Sequence, residues 1–383
     1  MNVDDFFGER RAIIDHLVNK WRWLLEAPVS GSAVPSNLWP AMAILFENQQ
    51  RTSNRGTTLM GTQTGDMVLP EKYALPIIRK VYPQLIVAKI ASIQPLPLSS
   101  GGVGKIYYED FLREDADPQT SLTSLVSDYG DTSEAQVPQR VKYNITSAEV
   151  SAIKSMLAAT WSSEAQEDLQ GALNIDLESS LLNAMSEEIL REIEHKCMLD
   201  IWGGATAGDE TWSWTKDSDY DTEVEWYQTL HFKFVDMEMN IYKKRWHQAD
   251  WIICGTNVAS FIDKLRSWHP DPNARAANTM LTTGVQFVGT YGPRWDVYLT
   301  PFLGENQAVM GCYPTSTLRT SYVYAPYIPL APMPLVYAGM KARDDATLPG
   351  GYTNTDEWTR NIRTRYARKV VVGDMLSRLT ISA

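Results

Sequence analysis

A glycine-rich stretch is the first place where the sequence could support chemistry. Residues 101–105 read GGVGK, which looks like part of a phosphate-binding loop. Two positions contradict that interpretation: Ser99 stands where the first glycine of such a loop belongs, and Ile106 replaces the serine or threonine that would hold magnesium. We therefore interpret the stretch as a flexible turn between two strands and expect no nucleotide site there.

Alternating aspartates suggest a second kind of site, a calcium loop, at Asp217, Asp219 and Asp221. In such a loop the next position is a glycine and a later one is a bidentate glutamate, but here they are Thr222 and Gln228. The pattern leaves weak, adventitious cation binding open. It favours an exposed acidic loop.

The histidines and cysteines lack the spacings of known metal or nucleophile motifs. No HExxH pair and no histidine with a neighbouring cysteine ligand is present, which argues against a zinc site, and no G-x-S-x-G elbow occurs. Carboxylates are too plentiful for a glycosidase pair to be identified. We therefore predict that the chain is not an enzyme, and we assign no catalytic, cofactor-binding or metal-binding residue. The residues concerned are His16, His195, His231, His247, His269, Cys197, Cys254 and Cys312.

Composition narrows the possible partners. The 383-residue chain carries a net charge of −11, so binding nucleic acid through its phosphates across the whole chain is disfavoured. No apolar run is long enough to span a membrane. Three cysteines far apart in sequence predict a reduced, cytoplasmic protein. The 13 tryptophans and 18 tyrosines suggest either a ligand cleft or extensive contacts with other chains.

One long amphipathic segment, residues 176–202, organises the expected architecture. Wound as a helix, it places apolar side chains on one stripe and charged ones on the opposite side, with Asp176 as its N-cap and Gly203-Gly204 as a left-handed exit. The stripe consists of Leu182, Met185, Ile189, Ile193 and Cys197; the charged side consists of Glu187, Glu188, Arg191, Glu194 and His195.

The preceding segments predict a helix at 4–25 with an apolar band that needs a partner surface, then irregular chain over 27–54 and a coreless arm over 51–66. A short helix at 76–81 and a strand-like segment at 85–98 follow. Strands at 105–111 and 137–146 predict a hairpin without a covering layer, which another molecule should cover. A helix near 163–171 begins with a Ser163–Gln166 capping box.

After the long helix, the pattern predicts a loop at 205–221 and a helix at 223–246 that is apolar all round and therefore buried. Strands and a helix then alternate between 251 and 312. A proline-rich run, APYIPLAPMPL, should be stiff and extended. The closing strand, 360–372, carries Arg360, Arg363, Arg365, Arg368 and Lys369.

Three stretches together resemble the major capsid proteins of T-even-like tailed bacteriophages. The resemblance runs in order over roughly residues 85–372. The stretches are IASIQPLPLSSGGVGKIYY; VSAIKSMLAATWSSEAQEDLQGALNIDLESSLLNAMSEEILREIEHK; and the series FVGTYGPRWDVYLTPF, VMGCYP, YVYAPYIPLAP and RTRYARKVV.

The resemblance implies an α+β fold of the Hong Kong 97 type, in which residues 176–202 form the spine helix of a peripheral domain. It also implies that Leu24-Leu25-Glu26 resembles a maturation-protease site, and that the basic closing strand pairs with a neighbouring subunit or faces solvent or DNA. The implied ranges are an N-terminal arm, 1–84; a peripheral domain, 85–104, 151–247 and 340–383; an extended loop, 105–150; and an axial domain, 248–339.

The function implied by the resemblance is structural. Copies would assemble as hexamers and pentamers into an icosahedral head that encloses double-stranded DNA without reading its sequence, inside the host cytoplasm, with scaffolding, portal and decoration proteins as further partners. Two alternatives share the fold: a vertex protein of the same family, and an encapsulin-like shell. A carbohydrate-active enzyme is the alternative from another class, and it predicts a deep aromatic cleft flanked by two carboxylates.

Overall fold

The structure, a computed structural model, contains helices and strands in an α+β arrangement, which confirms the predicted fold class. It describes residues 3–26, 34, 36–59, 85, 87–97, 101–113, 141–173, 176–271, 285–292, 294–333, 335–342 and 352–382. Within these residues, no helix is both long enough and apolar enough to cross a membrane. The predicted helix at 76–81 lies outside them.

Two N-terminal helices, α1 (Val3–Glu26) and α2 (Trp39–Leu59), pack against each other and supply the partner surface that the apolar band of α1 requires. Leu25 of α1 and Phe46 of α2 are fully buried in the same core cluster. The prediction of irregular chain was therefore wrong over 39–54, and that of an extended arm was wrong over 51–59, where the chain is helical. Pro40 lies in the first turn of α2, where a missing N–H costs little.

Helix α3 (Val87–Ile90) and strand β1 (Ser92–Ile93) replace the continuous strand predicted for 85–98. Strands β2 (Val103–Arg113) and β3 (Val141–Ser151) pair antiparallel along their whole length, which confirms the predicted hairpin. Strand β4 (Ile153–Ser162) and helix α4 (Ser163–Leu173) follow. The cap of α4 is Ser162, whose Oγ accepts from the backbone N–H of Ala165 at 3.2 Å, and not Ser163.

The predicted spine helix is α5 (Leu177–Gly204), 28 residues and about 42 Å long at 1.5 Å per residue. Asp176 caps it by accepting from the N–H groups of Glu178 and Ser179, as predicted, and the predicted apolar stripe is buried. Glu194 departs from expectation: it is fully buried, because the core around α5 covers more than the apolar stripe.

The glycines at the end of α5 also differ from expectation. The helix continues through both of them and ends at Ala205, whose φ of −70° is extended rather than left-handed. A Cβ on Gly204 would lie 2.5 Å from a methyl of Val370, so this glycine permits close packing of α5 on a strand.

A five-stranded sheet lies against α5. It contains β1, β4, β11 (Tyr322–Pro332), β12 (Val336–Ala342) and β13 (Tyr352–Val370), with β13 pairing antiparallel to β4, β11 and β12. Its two faces are covered differently. Tyr322 and Tyr324 point into the core that contains α5, whereas Val323 and Ala325 point to the opposite face.

A seven-stranded sheet has the order β5-β14-β10-β6-β9-β8-β7. Helix α6 (Glu223–Arg245) and the shorter α7 (Thr256–Ile262) pack on one face, where Ile252 and Cys254 lie, while Trp251 and Ile253 face the core of α5. Its strands are β5 (Asp209–Ser213), β6 (Trp251–Cys254), β7 (Trp268–Pro270), β8 (Gln286–Tyr291), β9 (Trp295–Leu299), β10 (Gln307–Gly311) and β14 (Leu376–Ser382).

Strand pairing groups the chain differently from the expected domain ranges in two places. Strand β11, inside the expected axial range 248–339, belongs to the five-stranded sheet beside α5. Strand β14, inside the expected peripheral range 340–383, belongs to the seven-stranded sheet, as does β5, which occupies part of the predicted loop 205–221. Pairing between distant segments decides these memberships, and local patterns do not show it.

Candidate functional site

The GGVGK stretch forms a turn that leads into a strand, as interpreted from the sequence. Gly101 and Gly102 have φ angles of +67° and +92°, and Gly104 and Lys105 already lie in β2. A phosphate loop opens a helix instead, so that backbone N–H groups converge on the anion. A Cβ on Gly102 would lie 2.7 Å from Nη2 of Arg365, but that atom ends a flexible side chain that can move aside, so the left-handed turn geometry is what requires this glycine.

The three alternating aspartates form an exposed loop, as predicted. Thr222, which stands in the glycine position of the calcium pattern, is the N-cap of α6. Its Oγ1 accepts from the backbone N–H of Glu225 at 3.3 Å. The aspartates that precede this cap also lie near the positive end of the helix dipole, which favours negative charge there.

One group of potential metal ligands does converge, although the sequence analysis did not find it. His247, Asp250 and Cys312 each offer a ligand atom, and these atoms lie within 4.8 Å of one another. The first two follow the C-terminal end of α6, and Cys312 follows β10. Asp250 donates its backbone N–H to the carbonyl of Gly311 at 2.9 Å, and this bond brings the two segments together.

Buried and half-buried charged groups also surround this cluster. Burial, and to a smaller extent the carboxylates of Asp250 and Glu238, raise the pKa of the Cys312 thiol to about 12. Glu238 is itself almost fully buried and pairs with the Arg294 guanidinium at 3.3 Å. Only an HxxD spacing was visible in sequence, and it becomes informative once the pairing of β6 with β10 is known.

Two arginines of the basic strand β13 pair with the spine helix of the same chain. Arg360 contacts the carboxylate of Glu178, near one end of α5, and Arg368 contacts that of Asp200, near the other, at 2.7 Å. The hydroxyl of Tyr322 donates to the same Asp200 carboxylate at 3.2 Å. For these two arginines the expectation of partners on a neighbouring subunit, or of a solvated strip, was wrong, since β13 lies beneath α5.

Helix α6 exposes a line of large apolar side chains. The prediction that α6 is buried all round was therefore wrong: only one face, with Leu230, Phe234, Met237 and Ile241, packs on the sheet. The exposed residues within α6 lie 8, 7 and 3 positions apart and fall on one side of the helix, and Trp246, the left-handed C-cap, follows four positions later. We call them the α6 stripe, and they are Val224 (56% exposed), Phe232 (65%), Met239 (38%), Tyr242 (46%) and Trp246 (52%).

The base of the β2–β3 hairpin rests on its own chain, on the face of the five-stranded sheet opposite α5. Ile106 and Val150 are buried there against Val323 and Ala325. The expectation that the hairpin lacks any cover of its own was therefore wrong for its base. The side chains of residues 110–144 lie outside the described residues.

A family model for the major capsid protein Gp23 matches residues 111–345, which is more than half of the chain. No curated protein sequence matches.

Solved phage structures are similar over most of the chain at low sequence identity. A chain from Mycobacterium phage Adephagia has 9% identity and a TM-score of 0.48, with 78% of this chain and 90% of that one covered. One from the capsid of cyanophage P-SCSP1u has 9% identity, a TM-score of 0.45 and coverages of 78% and 88%. One from the capsid of Myoviridae phage XM1 has 11% identity and a TM-score of 0.41, with 73% of this chain and 86% of that one covered.

Proposed function

Because the chain belongs to the Gp23 major capsid protein family and is therefore a structural protein of the phage head, we propose that its copies assemble as hexamers and pentamers into an icosahedral shell around double-stranded DNA. The shell would form in the host cytoplasm, with scaffolding, portal and decoration proteins as further partners. The acidic balance of the chain supports enclosure of DNA without tight phosphate binding.

The observation that carries self-association is the α6 stripe. Several large exposed apolar side chains on the same side of one helix mark an interaction surface, whereas single exposed ones do not. Burying an entirely exposed side chain of this kind contributes about 1.5–3 kcal/mol, and since these five are 38–65% exposed, each would contribute about half of that. Five of them exceed the few kcal/mol that a weak contact within a closed lattice requires, since each copy makes several contacts at once.

We propose that the β2–β3 hairpin is the extended loop of the family and reaches a neighbouring copy. Each strand has 11 residues and spans about 36 Å at roughly 3.3 Å per residue. The buried contacts at Ile106 and Val150 lie next to the sheet, at one end of that length. Glu109 pairs with Arg319 at 3.2 Å, so contacts with the same chain extend to the middle of β2.

The N-terminal segment has a narrower proposed role than an arm without a core. Since α1 and α2 pack on the same chain, we propose that residues 1–84 combine this packed pair with an outward face, where Ile13 and Trp23 are 60% and 63% exposed. Leu24 and Leu25 of the protease-like site are buried in a helical turn. Cleavage there would require local unwinding, because proteases bind extended chain.

We also propose that the two sheets correspond to the two domains that the family resemblance implies. The five-stranded sheet with α5 would be the peripheral domain, and the seven-stranded sheet with α6 and α7 the axial domain. Strand membership supports this assignment, with β11 joining the first and β5 and β14 the second. The expected sequence ranges would then shift at those three strands and at α6, which lies inside the expected peripheral range 151–247.

The experiment that tests self-assembly compares shell formation by the wild-type chain with that of Phe232→Gln/Met239→Gln. Electron microscopy and sedimentation of the purified wild-type protein should show shells or capsomers, and the double variant should yield mainly smaller species. Lys243→Gln is the matched control, since it places the same side chain at an exposed position of the same helix.

Melting temperatures of both variants that equal that of the wild type would show that folding is intact. Monodisperse wild-type monomers under all assembly conditions would contradict the proposed function. Normal shells from the double variant would contradict the role of the α6 stripe alone.

A further inference from the structure

His247, Asp250 and Cys312 carry an inference that is independent of shell assembly. Their ligand atoms lie within 4.8 Å of one another, and they come from two segments held by strand pairing. Strand β6 begins directly after Asp250, and Trp251 is in register with Gly311 of β10, which precedes Cys312. The backbone of the seven-stranded sheet therefore fixes two of the three donors relative to each other.

The backbone also orients two of these side chains from behind. Nδ1 of His247 lies 2.7 Å from the carbonyl of Gln248, which places the ring proton on Nδ1 and the lone pair on Nε2. Oδ2 of Asp250 accepts from the backbone N–H of Tyr313 at 2.9 Å. Such hydrogen bonds to the outer atom of a ligand are the usual supports of protein metal sites.

One of the three residues is buried and the other two are partly accessible, an arrangement that lets an ion reach the site. Cys312 is 2% exposed, whereas His247 and Asp250 are half-buried, so an ion could enter from the side of the histidine. Ordinary packing explains the buried thiol, and a turn explains the aspartate. Neither explanation accounts for an oriented imidazole beside both.

We propose that His247, Asp250 and Cys312 bind a zinc ion, with water in the fourth position. Thiolate sulfur, imidazole nitrogen and carboxylate oxygen are the ligand types that zinc takes in tetrahedral sites, and the sulfur disfavours magnesium or calcium. On binding, the Cys312 thiol releases its proton to solvent and a zinc–sulfur bond forms.

The bound ion would join the C-terminal end of α6 to the ends of β6 and β10. It would tie together segments that are far apart in sequence. Zinc should therefore stabilise the folded chain, in which the donors converge, more than the unfolded chain, in which they do not.

Cobalt absorption provides the direct test. The purified full chain, freed of metal by a chelator, is titrated with Co²⁺, which replaces zinc and gives a thiolate charge-transfer band in the near ultraviolet. We expect this band to saturate at one equivalent, to disappear on addition of Zn²⁺ and to persist in excess Mg²⁺. Cys312→Ser should abolish it, and His247→Gln should weaken binding more than about 10-fold.

Cys254→Ser is the matched control. Cys254 is also a buried thiol in the same sheet, on the neighbouring strand β6, so its replacement carries a similar packing cost but should leave the band intact. If Cys312→Ser does not fold, His247→Gln decides, because this residue is half-buried and its replacement spares the core. Absence of the band in the wild-type chain, a band that persists in Cys312→Ser, or affinity unchanged in His247→Gln would overturn the proposal.

Discussion

Replacing Ile189 with aspartate should show whether α5 supports the whole chain. Ile189 lies on the buried stripe of the helix and is 2% exposed, in the core cluster shared by α1, α2 and both sheets. Removing the buried aliphatic side chain costs about 2–5 kcal/mol. An unsatisfied polar group in its place adds about 1–3 kcal/mol.

The expected loss is therefore about 3–8 kcal/mol, against a total stability of about 5–15 kcal/mol for a typical protein. We expect Ile189→Asp to appear mainly in the insoluble fraction, and any soluble protein to melt well below the wild type. The assay is the soluble yield from matched expressions, followed by thermal unfolding monitored by circular dichroism. Such a loss would reflect the buried position of Ile189 and not the introduced charge alone.

Leu199→Asp is the matched control, because it introduces the same residue into the same helix at a position that is 49% exposed. Its cost should stay under about 1 kcal/mol, the usual range for exposed helical positions. Similar soluble yields and melting temperatures for the two variants would refute the orientation of α5 described above. Ile189→Val should fall between the wild type and Ile189→Asp, with a loss of about 0.5–1.5 kcal/mol.

Three further predictions concern charges and thiols. Arg368→Met should cost about 1–2 kcal/mol in urea unfolding, less than a fully buried pair because Asp200 is 33% exposed, whereas Arg319→Met should cost less. The Arg378 guanidinium lowers the pKa of Asp209 below 3.8, so their pairing stabilises the fold above that pH and is lost as pH falls through the lowered value; Arg378→Gln should reduce stability at neutral pH, with the difference from wild type vanishing in acid. Burial raises every thiol pKa, so at pH 8 a thiol reagent should label the chain only after unfolding, at Cys197, Cys254 and Cys312.

Local patterns predicted the elements that depend only on residues adjacent in the sequence. Asp176 and the apolar stripe that follows it indicated α5, since a cap and a 3.6-residue period are properties of adjacent residues. The β2–β3 hairpin and strands β6, β8, β9 and β10 of the seven-stranded sheet were found for the same reason, whereas β5, β7 and β14 were not predicted. The family was recognisable because the order of such motifs is written directly in the sequence.

The proline-rich run shows where local patterns were insufficient. The run APYIPLAPMPL was expected to be extended, and much of it is, but it forms β11, with register shifts on either side of Ile328. A proline cannot donate to a neighbouring strand, so the pairing with β13 becomes irregular there, while the carbonyl of Pro326 still accepts from Leu96 at 3.0 Å. The run could not be predicted to form a paired strand from its own residues, because its partner β13 lies about 30 residues further along the chain.

The sequence by itself determined the apolar period and the Asp176 cap of α5, the hairpin and the family, because these depend on residues close together in the chain. Only the tertiary structure decided that Arg368 pairs with Asp200, that Glu194 is buried, that the α6 stripe is exposed, and that Cys312 meets His247. Each of these outcomes depends on which distant segments come together. Strand pairing and packing set that proximity, and the periodicity of a single segment carries no information about it.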